Sequence, residues 1–319
     1  IKDYQYQGIN WLWFLYNYGL NGILADDMGL GKTFQCLSII SNSHHIEKSG
    51  AISIVICPSS VIHHWDTEIQ KFYPQIPTHP IVMKSELNAN QFMTMNGIII
   101  ISYQNIISLF SILTKRKFTY CVLDEGHIIK NKNTKASEAV MKIQAQHRLI
   151  LSGTPIQNNV TELWTLMDFL MPGFLGTREE FQKKYQRPIK KMFKPEATEA
   201  ETENGQKVLN VLHNQVLPFI MRRLKANVMM ELPKKVIYDE VFKMTDKQRE
   251  VLQKVRANIN LDTNEIDENT FKKLHNERKV CIHPSLVDES IPKLIEYSAK
   301  LTELKKLLLS RLGFGGGNL

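Results

Sequence analysis

The stretch ILADDMGLGKTFQ, Ile23–Gln35, decides the fold predicted for this chain. It ends in the Gly-Lys-Thr signature of a phosphate-binding loop, whose full pattern is G-x-x-x-x-G-K-S/T. An apolar strand precedes the loop and a helix-like stretch follows it, so backbone amides and a helix N-terminus would face an anion. Asp26 stands where the pattern has its first Gly, and a second acid, Asp27, follows. The sequence therefore raises the question of how a loop for a polyanion accommodates two carboxylates.

The loop residues have distinct expected roles. Gly29 and Gly31 allow the backbone to approach phosphate, Lys32 would contact the β- and γ-phosphates, and the Thr33 hydroxyl would hold Mg²⁺. The alternative is a Gly-rich turn with a chance Gly-Lys-Thr. The predicted nucleotide-binding residues of this stretch are Met28, Gly29, Leu30, Gly31, Lys32, Thr33 and Phe34.

A second stretch, YCVLDEGH at Tyr120–His127, is an apolar strand that ends in two carboxylates. Asp124 is predicted to hold the Mg²⁺ shell, and Glu125 to polarise the attacking water. Both stretches would lie at the carboxyl edge of a parallel sheet and share one Mg-nucleotide. Lys32, Asp124 and Glu125 are therefore the predicted catalytic residues; the alternative for Asp-Glu-Gly-His alone is a solvated acidic turn.

A third stretch, LILSGTPIQNN at Leu149–Asn159, carries another apolar strand into small hydroxyl residues. These residues are candidates to hydrogen-bond His127 and so couple the third stretch to the nucleotide. By itself the stretch favours an ordinary strand-to-turn exit with Gly and Pro. The predicted coupling residues are His127, Ser152, Gly153 and Thr154.

The first half of the chain alternates short, continuous apolar runs with helix-like stretches. Continuous β-branched runs are typical of strands that are buried on both faces, and intervening helices indicate βαβ units. We therefore predict an α/β fold with a mostly parallel sheet and helices on both faces. The predicted strands are Gly22–Ala25, Ile52–Cys57, Ile81–Met83, Gly97–Ile101, Tyr120–Leu123 and Leu149–Leu151.

After about Thr161 the spacing of apolar residues becomes helical. The polar run KPEATEAETENG suggests a mobile loop near residues 195–206, and KKVIYDEVF (Lys234–Phe242) is the one later strand candidate. The predicted divisions are a nucleotide-binding lobe (1–165), a helical insertion (166–232), a strand returning to the lobe (233–245), helices (246–312) and a flexible tail (313–319).

Composition limits the class of protein. The 319 residues are 43% hydrophobic and 23% charged, the mix of a globular protein, and no apolar run approaches the length needed to cross a bilayer. The net charge of +8 suits a polyanionic partner, although excess surface lysine would give the same value. The sequence indicates no membrane association.

These three stretches, in this order and spacing, resemble the first RecA-like lobe of superfamily II helicases, and most of all the Swi/Snf-type remodelling ATPases. The family loop reads D-E-M-G-L-G-K-T, so the acid at Asp26 is a family mark. The chain is also similar to the family in YQYQGINWL, ICPSSVIHHW, IIISYQ and VLPFIMRRLKANVMMELPKK. LDEGHIIKN, DFLMPGFLGT and LHNQVLPFIMRRLK resemble one branch, the ATPases that remove TATA-binding protein from DNA.

The resemblance implies a RecA-like lobe that uses ATP and Mg²⁺, with Gln5 near the adenine. It implies a DNA-stimulated ATPase that translocates along double-stranded DNA without separating strands, in the nucleus. The family's arginine fingers lie on a second RecA-like lobe of the same polypeptide, so we expect this chain alone to turn ATP over slowly or not at all. TATA-binding protein would bind through regions outside this chain. The candidate DNA contacts are Ser59, Ser60, Ser102, Tyr103, Lys130 and Asn131.

Three further details carry their own expectations. Asp26 and Asp27 are expected to face away from the phosphates, at the entry turn, where they can pair with nearby cations or cap the turn. Arg222 and Arg223 are interpreted as packing or docking residues on a helix of the insertion. Gly126 departs from the commoner Ala of the family.

Three alternatives stay open at this point. Another Swi/Snf-type remodeller or a repair translocase would share the same motifs. A strand-separating helicase would share the lobe but lack the long helical insertion. A non-catalytic docking module built on a degenerate lobe is a different class, and the intact Lys32, Thr33, Asp124 and Glu125 argue against it.

Overall fold

The computed structural model describes residues 1–47, 50–130, 134–153, 160–228, 237–257 and 268–311. The chain divides into two units, Ile1–Pro233 and Lys234–Leu319. Each unit has its own hydrophobic cluster, and the predicted site lies entirely in the first.

The first unit is built on a parallel sheet with the strand order β3-β4-β2-β5-β6-β1-β7. The strands are β1 (Gly22–Leu24), β2 (Ile52–Cys57), β3 (Thr78–Ile81), β4 (Gly97–Ser102), β5 (Phe118–Asp124), β6 (Ala145–Leu151) and β7 (Ile220–Met221). The predicted parallel α/β fold is confirmed. Only the third strand is displaced toward its N-terminus, because β3 is a half-exposed edge strand without a continuous apolar run.

Helices cover both faces of the sheet, which explains the continuous apolar strands. Ile54 and Ile99 point into one core layer, whereas Val55 and Ile100 point into the other. The helices of this unit are α1 (Asp3–Asn17), α2 (Lys32–Glu47), α3 (Ile62–Phe72), α4 (Ala89–Thr94), α5 (Asn105–Leu113), α6 (Lys135–Met141), α7 (Val160–Leu170), α8 (Arg178–Phe181), α9 (Arg187–Met192), α10 (Glu199–Val216) and α11 (Lys225–Val228). A π-helical segment, Gln182–Gln186, joins α8 to α9, and 3₁₀ turns span Ser59–Val61, Lys84–Glu86, Gly126–Lys130 and Leu217–Phe219.

The predicted mobile loop near residues 195–206 is wrong in its second half, because α10 already begins at Glu199. The Thr198 side chain accepts a hydrogen bond from the Glu201 amide, and the Glu201 carboxylate accepts one from the Thr198 amide. This capping box satisfies two amides that a helix start otherwise leaves unpaired. A Glu203–Lys207 ion pair of 2.7 Å, one turn apart, adds to the exposed face.

The predicted strand over residues 233–245 is also wrong in its described part. Residues 237–245 form no regular structure, and Ile237 and Val241 are 71% and 95% exposed. No described strand pairs with them. On the side of β1 opposite β6, the neighbouring strand is instead β7, which begins directly after the 3₁₀ turn Leu217–Phe219.

The second unit contains α12 (Asp246–Ala257), α13 (Glu268–Ile282) and α14 (Ala299–Arg311). Its core is small and includes Val251, Leu252, Val280 and Ile291. The predicted tail 313–319 lies outside the described residues. No described helix is both long and apolar enough to cross a membrane.

Gly97 provides a test of the sheet geometry. Its φ is +96°, and a Cβ at this position would lie 2.1 Å from the Pro77 carbonyl oxygen. We expect Gly97→Ala to lower the free energy of unfolding by about 3–5 kcal/mol, because left-handed strain adds to a backbone overlap. Gly19→Ala is the matched control, since Gly19 has a φ of +63° with no atom near its Cβ position; its cost should be about 1–2 kcal/mol. Equal losses in urea denaturation would contradict the close approach at Gly97.

Candidate functional site

The loop between β1 and α2 has the backbone of a phosphate-binding loop. Gly29 and Gly31 adopt left-handed φ values of +84° and +76°, which glycine adopts without strain. A Cβ on Gly31 would lie only 2.5 Å from Gln5 Nε2, so the side chain of Gln5 lies directly against the loop. The loop leads directly into α2, which begins at Lys32, so it ends at a helix N-terminus that favours an anion.

Lys32 lies inside the curve of this loop. Its Nζ donates to the carbonyl oxygen of Asp26 at 2.8 Å and to that of Asp27 at 3.4 Å. Burial lowers the pKa of Lys32, and the carboxylates of Glu125 and Asp124, among others, oppose that shift. The ammonium group is therefore held by loop carbonyls and faces the carboxylates that end β5.

The remaining predicted loop residues have different environments. Met28 is 69% exposed, and its side chain reaches Gly153, whose Cβ position lies 3.0 Å from Met28 Cγ and 3.7 Å from Lys32 Nζ. Phe34 packs edge-on against Phe72 with ring centroids 5.0 Å apart. Of the other predicted residues of this stretch, Leu30 is buried and Thr33 is half-buried.

The contacts of Asp26 explain how the phosphate loop accommodates a carboxylate where the pattern has its first glycine. Its side chain is fully buried and accepts hydrogen bonds at Oδ1 from the Arg223 amide and Nε, each at 3.0 Å. A third bond comes from Arg223 Nη2 to Oδ2. Asp27 accepts a bond from the Lys225 amide at 2.9 Å. The expectation that Asp26 pairs with a nearby cation is confirmed.

Arg223 itself is placed differently from the sequence prediction. It does not lie on a helix, because it is in the segment between β7 and α11, two residues after β7 ends. It packs against the loop, as the packing interpretation expected, and Arg222 beside it is exposed.

Two carboxylates end β5 on the same edge of the sheet. Trp65 Nε1 donates to Asp124 Oδ2 at 2.8 Å, and the Glu125 amide donates to Asp124 Oδ1 at 3.0 Å. Burial raises the pKa of Asp124, and the bond from Trp65 acts in the opposite direction because it favours the charged form. Asp124 is thus fixed in orientation by two donors while keeping lone pairs free for a cation.

Glu125 has the one left-handed φ, +53°, that the described residues show outside glycine. Its Oε2 lies 3.2 Å from His127 Nδ1. Strained backbone of this kind occurs at sites where a side chain must be aimed. Gly126 follows, and a Cβ there would lie 2.4 Å from Ile150 Cγ2, which gives a packing reason for glycine where the family more often has alanine.

The third motif is described only in part. Ser152 is buried and its amide donates to the Leu24 carbonyl at 3.2 Å, which joins the end of β6 to β1. Thr154 lies outside the described residues, and the proposed hydrogen bond to His127 stays a prediction. Gly153 is beside Met28 and Lys32, so the motif does reach the loop.

The candidate DNA contacts divide into exposed and buried residues. Ser59 and Ser60 are exposed on a 3₁₀ turn after β2. Ser102 and Tyr103 are buried, 3% and 4% exposed, and their contact with a DNA strand stays a prediction. Tyr103 donates to the Asp124 carbonyl at 2.9 Å, and Ser102 caps the start of α5 by accepting from the Asn105 amide at 3.1 Å.

Two other candidate DNA contacts follow the second motif. Lys130 ends the 3₁₀ turn after β5, and Asn131 lies outside the described residues.

The structure adds residues that the sequence did not indicate. Trp65 positions Asp124, and Arg223 with Gln35 holds Asp26. Their only sequence signal is that Trp65 closes ICPSSVIHHW and Arg223 lies in the basic run after β7. Among the described residues, no group of three or more His, Cys, Asp or Glu side chains is arranged to hold a metal by itself.

Comparison of the sequence with known proteins identifies the family of this chain. The family model of the SNF2-related domain matches residues 4–286. The chain is 39% identical over 318 residues to the TATA-binding protein-associated factor mot1 of Schizosaccharomyces pombe, covering 90% of this chain and 16% of that protein. It is 37% identical over 374 residues to the human TATA-binding protein-associated factor 172, covering 100% of this chain and 20% of that protein. The chain therefore spans a fifth or less of the length of these relatives.

A solved structure has the same fold. The SWI2/SNF2 ATPase core of Sulfolobus solfataricus in complex with dsDNA superposes with a TM-score of 0.63 and 30% identity, covering 99% of this chain and 65% of that chain.

The Trp65–Asp124 bond gives a titration test. We expect Trp65→Phe to raise the pKa of Asp124 further, because the substitution removes a donor that favours the carboxylate. The carboxyl group would then stay protonated to a higher pH, which is measured by the pH dependence of its ¹³C shift in aspartate-labelled protein. Trp164→Phe is the control, since Trp164 Nε1 donates to the Gly176 carbonyl rather than to Asp124. An unchanged Asp124 titration in Trp65→Phe would show that this bond does not tune the carboxylate.

Proposed function

Because the chain belongs to the SNF2-related family, we propose that it is the ATP-binding lobe of a DNA-dependent ATPase that translocates along double-stranded DNA. The observation that carries this proposal is the meeting of three features at one sheet edge. The glycine loop, Lys32 and the Asp124–Glu125 pair all lie where strands β1 and β5 end. A parallel sheet presents its ligand site at this edge.

The residues fit Mg-ATP by the chemistry of their donors. The backbone at two left-handed glycines, Gly29 and Gly31, suits the close approach of phosphate oxygens. The Thr33 hydroxyl and the Asp124 carboxylate would supply the oxygen ligands that Mg²⁺ prefers. When bound, Mg²⁺ neutralises charge on the β- and γ-phosphates. Glu125, aimed by its strained backbone and by His127, is positioned to accept a proton from the attacking water.

DNA would be bound mainly through its phosphates. The chain carries a net charge of +8, Ser59 and Ser60 follow β2, and Lys130 ends the turn after β5. Asn131, the next residue in the sequence, is a further candidate. The archaeal ATPase core of 30% identity was solved with dsDNA, which supports the same class of ligand for this chain. Phosphate contacts position a protein on the duplex without reading its sequence.

The protein displaced from DNA is proposed to be TATA-binding protein. The relatives from Schizosaccharomyces pombe and Homo sapiens are both described as TATA-binding protein-associated factors, which supports this branch and a nuclear location. The contacts with TATA-binding protein would lie outside this chain, and a second RecA-like lobe would supply the arginines that stabilise the transferred phosphoryl group.

The first test of this function is Lys32→Ala. We expect the variant to lose measurable Mg-ATP binding in titration calorimetry, because its ammonium is the group held at the centre of the loop. Lys207→Ala, on the exposed face of α10, is the control and should bind ATP as the unmodified chain does. Unchanged affinity in Lys32→Ala, in a folded variant, would refute the phosphate-loop assignment.

The second test concerns DNA. The logarithm of the DNA association constant should fall linearly with the logarithm of salt concentration. The reason is that each lysine or arginine that binds a DNA phosphate releases a counterion that was condensed on the DNA. Lys130→Ala should lower the magnitude of that slope by about one if it contacts a phosphate. Lys117→Ala is the control, because Lys117 is exposed before β5 at the opposite edge of the sheet. Salt-independent affinity, measured by fluorescence anisotropy, would contradict binding through phosphates.

A further inference from the structure

A short segment after β7 lies along the phosphate loop; we call residues 222–228 the strap. The backbone pairing of β1 with β7 continues beyond both strands. The Ala25 amide donates to the Met221 carbonyl at 2.7 Å, and the Asp27 amide donates to the Arg223 carbonyl at 3.0 Å. The hydrogen-bonding pattern of the sheet therefore continues from β1 and β7 into the first residues of the phosphate loop and of the strap.

The side chain of Arg223 fixes the position of the strap. Besides its bonds to Asp26, its guanidinium donates to the Tyr4 carbonyl and to Gln35 Oε1, the latter at 2.7 Å. The side chain is only 12% exposed, and Asp26 is fully buried. One arginine thus joins α1, the phosphate loop and α2, and the position of the strap on the loop is closely determined.

Lys225 is the residue that this fastening brings to the loop. Its amide is fixed by the Asp27 carboxylate, and its ammonium lies over Gly29, where a Cβ would be 3.1 Å from Nζ. The side chain is exposed and forms no ion pair with any described residue. A free cation is therefore held against the exposed backbone of a phosphate-binding loop.

The carboxylates near the loop suggest a role for the Lys225 ammonium in binding phosphate. Four carboxylates, those of Glu125, Asp26, Asp124 and Asp27, act on Lys32. Arg223 neutralises one of them, Asp26, within a buried pair. The other three carboxylates remain close to Lys32. A polyphosphate would therefore gain from further positive charge at this point, in addition to the Mg²⁺ that Thr33 and Asp124 would hold.

We propose that Lys225 is a second phosphate-binding cation of this site, which contacts the polyphosphate of the nucleotide from the exposed side of Gly29. The proposal rests on the proposed function, because it assumes that the loop binds ATP. Lys225 would act together with Lys32, one on each side of the loop. Arg223 is then a positioning residue, which acts through the strap and does not touch the nucleotide.

The experiment compares ligands with and without phosphate. Lys225→Ala should weaken Mg-ATP binding by about fivefold to tenfold, the loss of one charge-assisted contact at a partly exposed site. Its affinity for adenosine, measured by ligand-observed NMR, should be unchanged, because adenosine carries no phosphate. Lys225→Arg should retain most of the ATP affinity, and Lys207→Ala should leave both ligands unaffected.

Each outcome decides the question. Equal losses of ATP and adenosine in Lys225→Ala would overturn the proposal, since they would indicate a damaged loop rather than a lost phosphate contact. Full ATP affinity in Lys225→Ala, with binding abolished in Lys32→Ala, would overturn the role of Lys225 and leave the proposed function standing. Full ATP affinity in Lys32→Ala would overturn the proposed function itself.

Discussion

The ion pair between Asp26 and Arg223 fixes the start of the phosphate loop, on which the rest of the site depends. An unpaired carboxylate buried at this position would be costly, and it would repel the phosphates that the loop must bind. Arg223 removes both problems with three hydrogen bonds to one carboxylate. Buried pairs of this kind add little net stability compared with apolar packing, but breaking one is expensive. We therefore regard the pair as a device that specifies the loop conformation.

The two sides of the site are prepared in different ways. Lys32 is held by carbonyl oxygens of its own loop, so its ammonium is already in place without phosphate. Asp124 is oriented by Trp65 and by the next amide, whereas Glu125 is aimed by a left-handed backbone. Positioning of this kind is what electrostatic catalysis requires, because groups that are already oriented need not reorganise when charge develops.

The sequence predicted the sheet and the loop because both depend on local patterns. Continuous apolar runs marked the buried strands, and Gly-Lys-Thr with Asp-Glu marked the edge where they end. The start of α10 was missed although Thr198 and Glu201 form a recognisable capping box. Trp65 and Arg223 could not be found in this way, because each acts on a residue distant in the chain. The same holds for the burial of Tyr103, which follows β4 and reaches the end of β5, two strands away in the sheet.

The topology gives the helical insertion a direct path to the phosphate loop. The chain leaves the sheet after β6 for α7 and returns from α10 through β7, and both β6 and β7 pair with β1. The strand that carries the loop is thus hydrogen-bonded on one side to the origin of the insertion and on the other to its end. The end of α10 is therefore connected to the phosphate loop through one short strand, β7, and one buried ion pair, Arg223–Asp26. Because close-packed interiors deform little, these buried contacts fix the place where the chain returns from the helices relative to the loop.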